Sequence, residues 1–447
     1  MSNRVANVTA TALLTDQYEL TMISAALKAG VADRPCVFEV FARRLPDGRR
    51  YGVVAGTGRV LDALADFRFG GEEIAALRGI VDEPTLRWLA DYRFTGEIDG
   101  YREGELYFPG SPILTVRGGF ADAVILETVI LSILNHDSAI ASAAARMVSA
   151  AAGRPIIEMG GRRTHEQAAV ASSRAAYIAG VTATSNLEAA RTYGVPSAGT
   201  AAHAFTLLFS THAGTDEKAA FAAQIDALGV GTTLLVDTYD ITAGVANAIE
   251  VAGPDLGGVR IDSGDLGMLA RQVRAQLDGL GAPNTKIVVS GDLDEYAIAS
   301  LRAEPVDIYG VGTSLVSGSG APTAGMVYKL VEVDGVPVAK RASHKESHGG
   351  AKRAVRAARD TGTIVDEIVV TGGAGVDVAD LVDVGNLDVR DLQIPLVRGG
   401  RVVDDLPTLA DARDLLARGL VSLPWEGLGL SHGDPAVPTR YVTRPEN

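Results

Sequence analysis

Cysteine is almost missing from this chain: Cys36 stands alone among 447 residues. An intrachain disulfide is excluded, and with it the disulfide-stapled secreted domains. A reducing cytoplasm is the expected compartment. Zinc signatures are missing too, since one Cys and no H-E-x-x-H cannot build the common sites. Aromatics are scarce at 5%, while Gly and Ala are abundant, which suits tightly packed α/β layers better than an all-β sandwich. Positive charge is in deficit: 41 Lys and Arg face 55 Asp and Glu, for a net charge of −14. The one basic tract of note is "KRASHKESHGGAKRAVRAAR" at 340–359. A broad basic face for nucleic acid is therefore disfavoured. An anionic ligand would need a local cationic pocket or a metal ion against a repelling background. The longest apolar run, "FADAVILETVILSIL", is interrupted by Asp122 and Glu127 and falls short of the roughly 20 residues a bilayer needs. The N-terminus lacks an apolar signal core, so neither secretion nor a membrane partner is expected.

What the chain does have is length and apolar content, 47%, enough for a large core or for two to three domains. From about 138 to 325 it alternates between β-type runs and helical patterns. "RPIIEMG", "VTATS", "TTLLVDT", "GVRID", "KIVVSGDL" and "VDIYGVGTS" read as strands. Between the fourth and fifth, Leu266, Leu269, Val273, Leu277 and Leu280 recur at helical spacing and stop at Gly281 and Pro283. Such alternation calls for a parallel sheet with crossover helices, and this many units favour a (β/α) barrel over an open doubly wound sheet. The flanks differ. "FTGEIDGYREGELYFPGSPILTV" has short strands and Gly/Pro turns, and Asp334-Gly335 lies between alternating runs as a hairpin would. The expected fold is α/β: an irregular (β/α) barrel with a second β-rich domain formed from N- and C-terminal segments. The expected bounds are 1–135 and 326–447 for the two parts of that domain and 136–325 for the barrel.

In a parallel barrel the chemistry sits where strands end. Those ends carry Glu158, Arg162 and Arg163; Ser185 and Asn186; His203; Asp237; Arg260, Asp262 and Asp265; Ser290 and Asp292; and Gly310, Gly312, Thr313 and Ser314. Arginines suit carboxylate and phosphate groups, acids suit Mg²⁺ or sugar hydroxyls, and glycine amides suit a phosphate. Each has a plainer reading. Asp262, Ser263 and Asp265 are helix-capping types. Doubled arginines usually form a solvated face, and a lone histidine among apolar neighbours is usually packed. No Walker-type loop, G-x-S-x-G elbow or clean dinucleotide fingerprint is present. No lysine stands at a strand end, which leaves a Schiff-base aldolase without its nucleophile.

Read in order, "LLTDQYELTM", "FEVFARRLP", "LETVILSILNH", "EMGGRR", "ATSN", "GTAAHAF", "VRIDSGDL" and "YGVGTSL" resemble the nicotinate phosphoribosyltransferase family, over a span from about residue 13 to past 350. The resemblance implies a type II phosphoribosyltransferase. Such an enzyme joins nicotinate to 5-phosphoribosyl-1-pyrophosphate with coupled ATP hydrolysis, using Mg²⁺, as a homodimer with shared sites. By the same resemblance, Arg260 and Asp262 grip ribose and phosphate, with Glu158 in the substrate set. Gly310, Gly312 and Thr313 cradle the 5′-phosphate. Arg162 faces the pyridine carboxylate and Arg163 the phosphates. Asp16 and Tyr18 reach into a neighbouring subunit's pocket, where Tyr18 stacks on the pyridine. His203 matches the histidine that ATP phosphorylates, with His212 as second choice. Ser185 stands where related nicotinamide enzymes carry Asp, which favours nicotinate. A nicotinamide or quinolinate enzyme, or a silent nucleotide-binding protein on the same fold, stays open at this point.

Overall fold

The computed structural model describes residues 10–212, 214–340, 348–372, 381 and 384–443. Part of the basic tract, 341–347, lies outside them. The chain divides into two compact units, one made of Met1–Ser142 and Thr323–Asn447, the other of Ala143–Pro322.

The second unit carries six parallel strands: β1 (Ile156–Glu158), β2 (Ala183–Thr184), β3 (Thr233–Leu235), β4 (Gly258–Ile261), β5 (Lys286–Gly291) and β6 (Ile308–Val311). Their order across the sheet is β3-β4-β5-β6-β1-β2. Each strand lies beside its sequence neighbour, and the last pairs with the first through Val311 and Glu158. That is the winding of a barrel, since a doubly wound sheet reverses its order part-way. The ring is irregular because, among the described residues, no ladder joins β2 to β3. In their place Thr184 makes a single parallel bridge to Ser197, and the chain then passes through the helices His203–Leu208 and Glu217–Leu228 before β3.

The strands form where apolar and functional residues alternate. On β4, Val259 and Ile261 are fully buried while Arg260 turns the other way. On β6, Tyr309 and Val311 are buried and flank Gly310. Helix Leu266–Gly279 buries Ala270, Val273 and Leu277, as its spacing demands, and Gly281 follows at φ 79°.

The first unit interleaves both chain ends. Its seven-stranded antiparallel sheet runs Val336–Pro337, Met326–Val333, Pro35–Ala42, Leu114–Gly119, Glu97–Tyr101, Gln393–Arg398, Arg401–Val402. The expected hairpin is there: Val333 pairs with Val336, and Asp334 and Gly335 both take positive φ. A second sheet of four strands comes from the C-terminal part. One long helical run, Phe120–Ala151, is apolar and long enough to cross a bilayer, and 61% of its apolar window is buried inside the protein. The helix continues well past the run noted in the sequence, through the fully buried Ala141, Ala143, Ala144 and Ala145.

Arg356 ties the two chain ends together. It is 2% exposed and donates to Glu105, to the Leu106 carbonyl and to Glu367. Tyr101 donates to Glu367 at 2.9 Å, and Arg390 reaches Glu105 at 2.8 Å. Burial pushes the Glu105 carboxyl up, but Arg356 and Arg390 outweigh it and hold the group below its ordinary value. Arg356→Met should therefore lower the unfolding free energy by about 3–5 kcal/mol, the usual result of leaving a buried partner charge alone. Urea titration of both proteins measures this, and a change under about 1 kcal/mol would show the network to be dispensable.

Candidate active site

Parallel pairing brings the strand ends into line. Leu235 is opposite Arg260, Ser290 opposite Gly310, and Glu158 opposite both Val311 and Thr184. A cavity of about 930 Å³ opens at that rim. Arg162, Arg163, Ser185, His203, Arg260, Asp262, Gly310, Gly312 and Thr313 all line it, with Asn186, Ser290 and Asp292. Residues picked from six separate stretches of sequence thus share one space within the second unit.

Arg260 organises the floor. Its Nε donates to Ser290 Oγ at 2.7 Å, Nη1 to Thr200 Oγ1 at 2.9 Å and Nη2 to Asp262 Oδ1 at 2.8 Å. A guanidinium has five donors, so two remain for a ligand. Ser290 also donates to Asp262 Oδ1. Burial drives the Asp262 carboxyl up, but Ser290, Arg260 and His203 together hold it below the usual range, so it is an anion at neutral pH. Asp265, by contrast, is a plain helix cap that accepts from Met268 N at 3.0 Å.

His203 begins a short helix, and its side chain is 42% exposed, so it is not a packed core histidine. Nδ1 meets Thr238 Oγ1 at 3.1 Å, while Nε2 stands 4.0 Å from both Asp237 Oδ1 and Asp262 Oδ2. The Asp237 side chain is 1% exposed. Its Oδ2 accepts from Asp262 N and Ser263 Oγ, but its Oδ1 is buried without a hydrogen-bond partner. Such an atom is costly to bury unless something electropositive meets it. Asp237 was visible in the sequence as a strand-end acid. Thr200 and Thr238 gave no signal there, since hydroxyls on irregular segments carry no periodicity.

Arg162 and Arg163 are exposed to the cavity, and neither guanidinium pairs with a carboxylate among the described residues. Asn186 caps the helix that follows it, accepting from Ala189 N at 3.0 Å, which leaves Ser185 exposed at the rim. Gly310 lets the floor stay open: a Cβ there would meet Met159 Sδ at 2.9 Å and Ser290 Cβ at 3.1 Å.

Four expected positions fall elsewhere. Glu158 does not line the cavity. It is 1% exposed and accepts from Gly160 N, from Ser173 Oγ at 2.9 Å and from Thr184 Oγ1 at 2.6 Å. Its geometry is that of a brace beneath the wall that carries Arg162 and Ser185. Asp16 and Tyr18 belong to the first unit, where Asp16 caps helix Gln17–Ala29 by accepting from Tyr18 N at 3.3 Å. His212 is exposed and does not line the cavity.

The same arrangement of chain recurs in known proteins. A curated relative, the nicotinate phosphoribosyltransferase pncB1 of Mycobacterium tuberculosis, is 64% identical over 96% of this chain and 95% of its own length. This chain belongs to the nicotinate phosphoribosyltransferase family. The family's N-terminal domain model matches residues 13–135. The crystal structure of human nicotinic acid phosphoribosyltransferase superposes with a TM-score of 0.81 at 27% identity, covering 96% of this chain and 98% of that one. A nicotinate-nucleotide pyrophosphorylase from Pyrococcus furiosus superposes with a TM-score of 0.77 at 25% identity, covering 94% and 99%.

For this member of the nicotinate phosphoribosyltransferase family, Glu158→Ala removes the buried acceptor shared by two hydroxyls and an N–H. The melting temperature should fall by several degrees, about 1–3 kcal/mol for each lost partner. Weakened ligand binding with an unchanged melt would instead place Glu158 in contact with the ligand.

Proposed function

We propose that this protein transfers the phosphoribosyl group of 5-phosphoribosyl-1-pyrophosphate to nicotinate, giving nicotinate mononucleotide and pyrophosphate, and that ATP hydrolysis is coupled through His203. The observation that carries the reading is the convergence of Arg162, His203, Arg260 and Thr313 on one cavity. The nicotinate ring nitrogen attacks the anomeric carbon, a C–N bond forms, and the C–O bond to pyrophosphate breaks. Positive charge grows on the ribose as negative charge leaves. Asp262, held ionised, faces the first, and the free donors of Arg260 with Arg163 face the second. Gly312 and Thr313 offer backbone N–H groups to the 5′-phosphate at the start of a helical turn, and Gly310, inside β6, leaves room for it by lacking a side chain. Arg162 and Ser185 take the pyridine carboxylate.

The unmatched Asp237 Oδ1 and the nearby Asp262 Oδ2 suit Mg²⁺, which favours one or two carboxylates alongside substrate phosphates. Bound there, the ion would neutralise the departing pyrophosphate and screen a phosphoryl group on His203 from two carboxylates. Thr238 fixes the imidazole, leaving Nε2 turned toward those acids. An imidazole nitrogen with a free lone pair is a nucleophile, so it can accept the terminal phosphoryl group of ATP as ADP leaves and later yield it to water. Asp16 and Tyr18 complete the site of a second copy, which makes the protein a homodimer of the cytoplasm.

Pyrophosphate release is the direct test, with nicotinate, nicotinamide and quinolinate each assayed with and without ATP. Release with nicotinate alone, raised by ATP, is expected. Release with quinolinate would favour the decarboxylating relatives, and none with any substrate would favour a silent fold. His203→Ala should abolish the ATP benefit and spare some ATP-independent turnover. Equal loss in both conditions would assign the histidine to binding or folding. Ser185→Asp adds a carboxylate that repels nicotinate and accepts from an amide, so the preference should swing toward nicotinamide by about ten-fold or more. An unchanged preference would remove Ser185 from specificity.

A further inference from the structure

The turn that carries Gly312 and Thr313 is too short to hold its own shape. Helix Thr313–Val316 has four residues, and one helical turn does not persist alone in water. Neither the Gly312 nor the Thr313 N–H donates to a backbone carbonyl among the described residues. What fixes the turn lies just after it. Ser317 Oγ donates to the Thr313 carbonyl at 2.8 Å, Gly318 N to the Leu315 carbonyl at 3.0 Å and Ser319 N to the Ser314 carbonyl at 2.6 Å. Ser319 closes the loop at φ 50°, in the left-handed region that residues with a Cβ rarely take.

A buried acid holds Ser319 there. The Ser319 hydroxyl donates to Glu295 Oε2. Glu295 opens helix Glu295–Ser300, which follows β5, and its side chain is 2% exposed. Its Oε1 accepts from Arg146 Nε at 3.0 Å, and the Arg146 side chain is equally buried. Arg146 Nη2 also donates to the Tyr296 hydroxyl at 3.3 Å. All of these residues belong to the second unit, and none of Arg146, Glu295 and Ser319 lines the cavity. A buried ion pair rarely stabilises a fold more than well-packed apolar side chains of the same volume. What this pair supplies, and an apolar pair could not, is an anchored carboxylate oxygen for the Ser319 hydroxyl.

We propose that Glu295, anchored by Arg146, is a positioning residue for the phosphate loop: through Ser319 it holds the turn so that the N–H groups of Gly312 and Thr313 are aimed into the cavity before the ligand arrives. This rests on the reading above that this loop takes the 5′-phosphate of 5-phosphoribosyl-1-pyrophosphate. A loop ordered in advance loses little freedom on contact. The 5′-phosphate is remote from the bond that breaks and is gripped alike in the ground and transition states. The gain therefore appears in the KM for the phosphoribosyl donor and leaves kcat alone.

The test reads kcat and both KM values in the full-length enzyme. Ser319→Ala should raise the KM for 5-phosphoribosyl-1-pyrophosphate about ten-fold while kcat and the nicotinate KM stay within about two-fold. Ser319→Gly takes the same φ without strain but lacks the hydroxyl, so it should show the same rise. An unchanged KM there would assign the effect to backbone conformation and overturn the tether. Glu295→Ala should match Ser319→Ala, and the double variant should be no worse than the worse of the two. If Glu295→Ala folds poorly, Arg146→Met combined with Glu295→Met leaves no buried charge alone and should still raise that KM. Additive effects, or a lower melting temperature with the KM unchanged, would overturn the proposal. Thr313→Pro separates the two levels, because it removes an N–H assigned to the phosphate at a first helical position, which proline accepts. A raised KM in Thr313→Pro with none in the Ser319 variants sinks the positioning role alone. An unchanged KM in Thr313→Pro removes the phosphate from this loop, and the proposal with it.

Discussion

The cavity depends on how one guanidinium is shared. Arg260 spans Thr200, Ser290 and Asp262, which come from the segment after β2, from β5 and from the loop that follows β4. Among the described residues no ladder joins β2 to β3, and no backbone hydrogen bond fixes the Thr200 segment against β4. A side-chain bond from Arg260 does so instead. The planar fork suits the task, because its donors point in set directions and keep their charge at any physiological pH. The same interaction leaves Asp262 ionised and keeps two donors for a ligand.

Charge is distributed with purpose on the two sides of the cavity. The protein carries a net −14, yet Arg162 and Arg163 meet no carboxylate among the described residues. Near His203, behind the cavity lining, Asp237 keeps one oxygen buried and unmatched. Cations without anions and a buried carboxylate oxygen without a donor cost stability in an empty cavity. They suit a ligand that brings phosphates and a metal ion together. Glu158 is the contrasting case, an acid with every partner supplied by the protein.

Much of this was legible in the sequence, for physical reasons that can be named. Strands betrayed themselves by buried runs, and a parallel barrel puts strand ends on one rim, so Arg162, Ser185, Arg260 and Thr313 could be grouped before any fold was seen. The Asp334-Gly335 turn was legible because only a few residue pairs accept two successive positive φ values. Glu158 was misplaced because a strand-end acid looks the same whether it faces solvent or a neighbouring hydroxyl. Ser173 and Thr184, which decide the matter, sit on other elements. The missing ladder between β2 and β3 was hidden too, since counting strands does not reveal whether the ends of a ring meet. Asp265 behaved as its residue type suggests and Asp262 did not, although three positions separate them. The difference is Arg260, whose reach is a matter of side-chain geometry that spacing does not encode.

The barrel unit is one continuous stretch, whereas the β-rich unit is assembled from both ends of the chain. Strand Pro35–Ala42 takes Met326–Val333 as a neighbour, and Tyr101 bonds to Glu367 across 266 positions. During synthesis on a ribosome, every residue of the barrel emerges before those late strands exist. The early strands must wait with an open hydrogen-bonding edge and exposed apolar faces. At translation speeds of roughly 5–20 residues per second, that wait lasts about ten seconds or more. Nascent chains of this architecture therefore face their greatest hazard of mispairing while the catalytic half is already able to fold, which makes the early β segment the natural client of a chaperone.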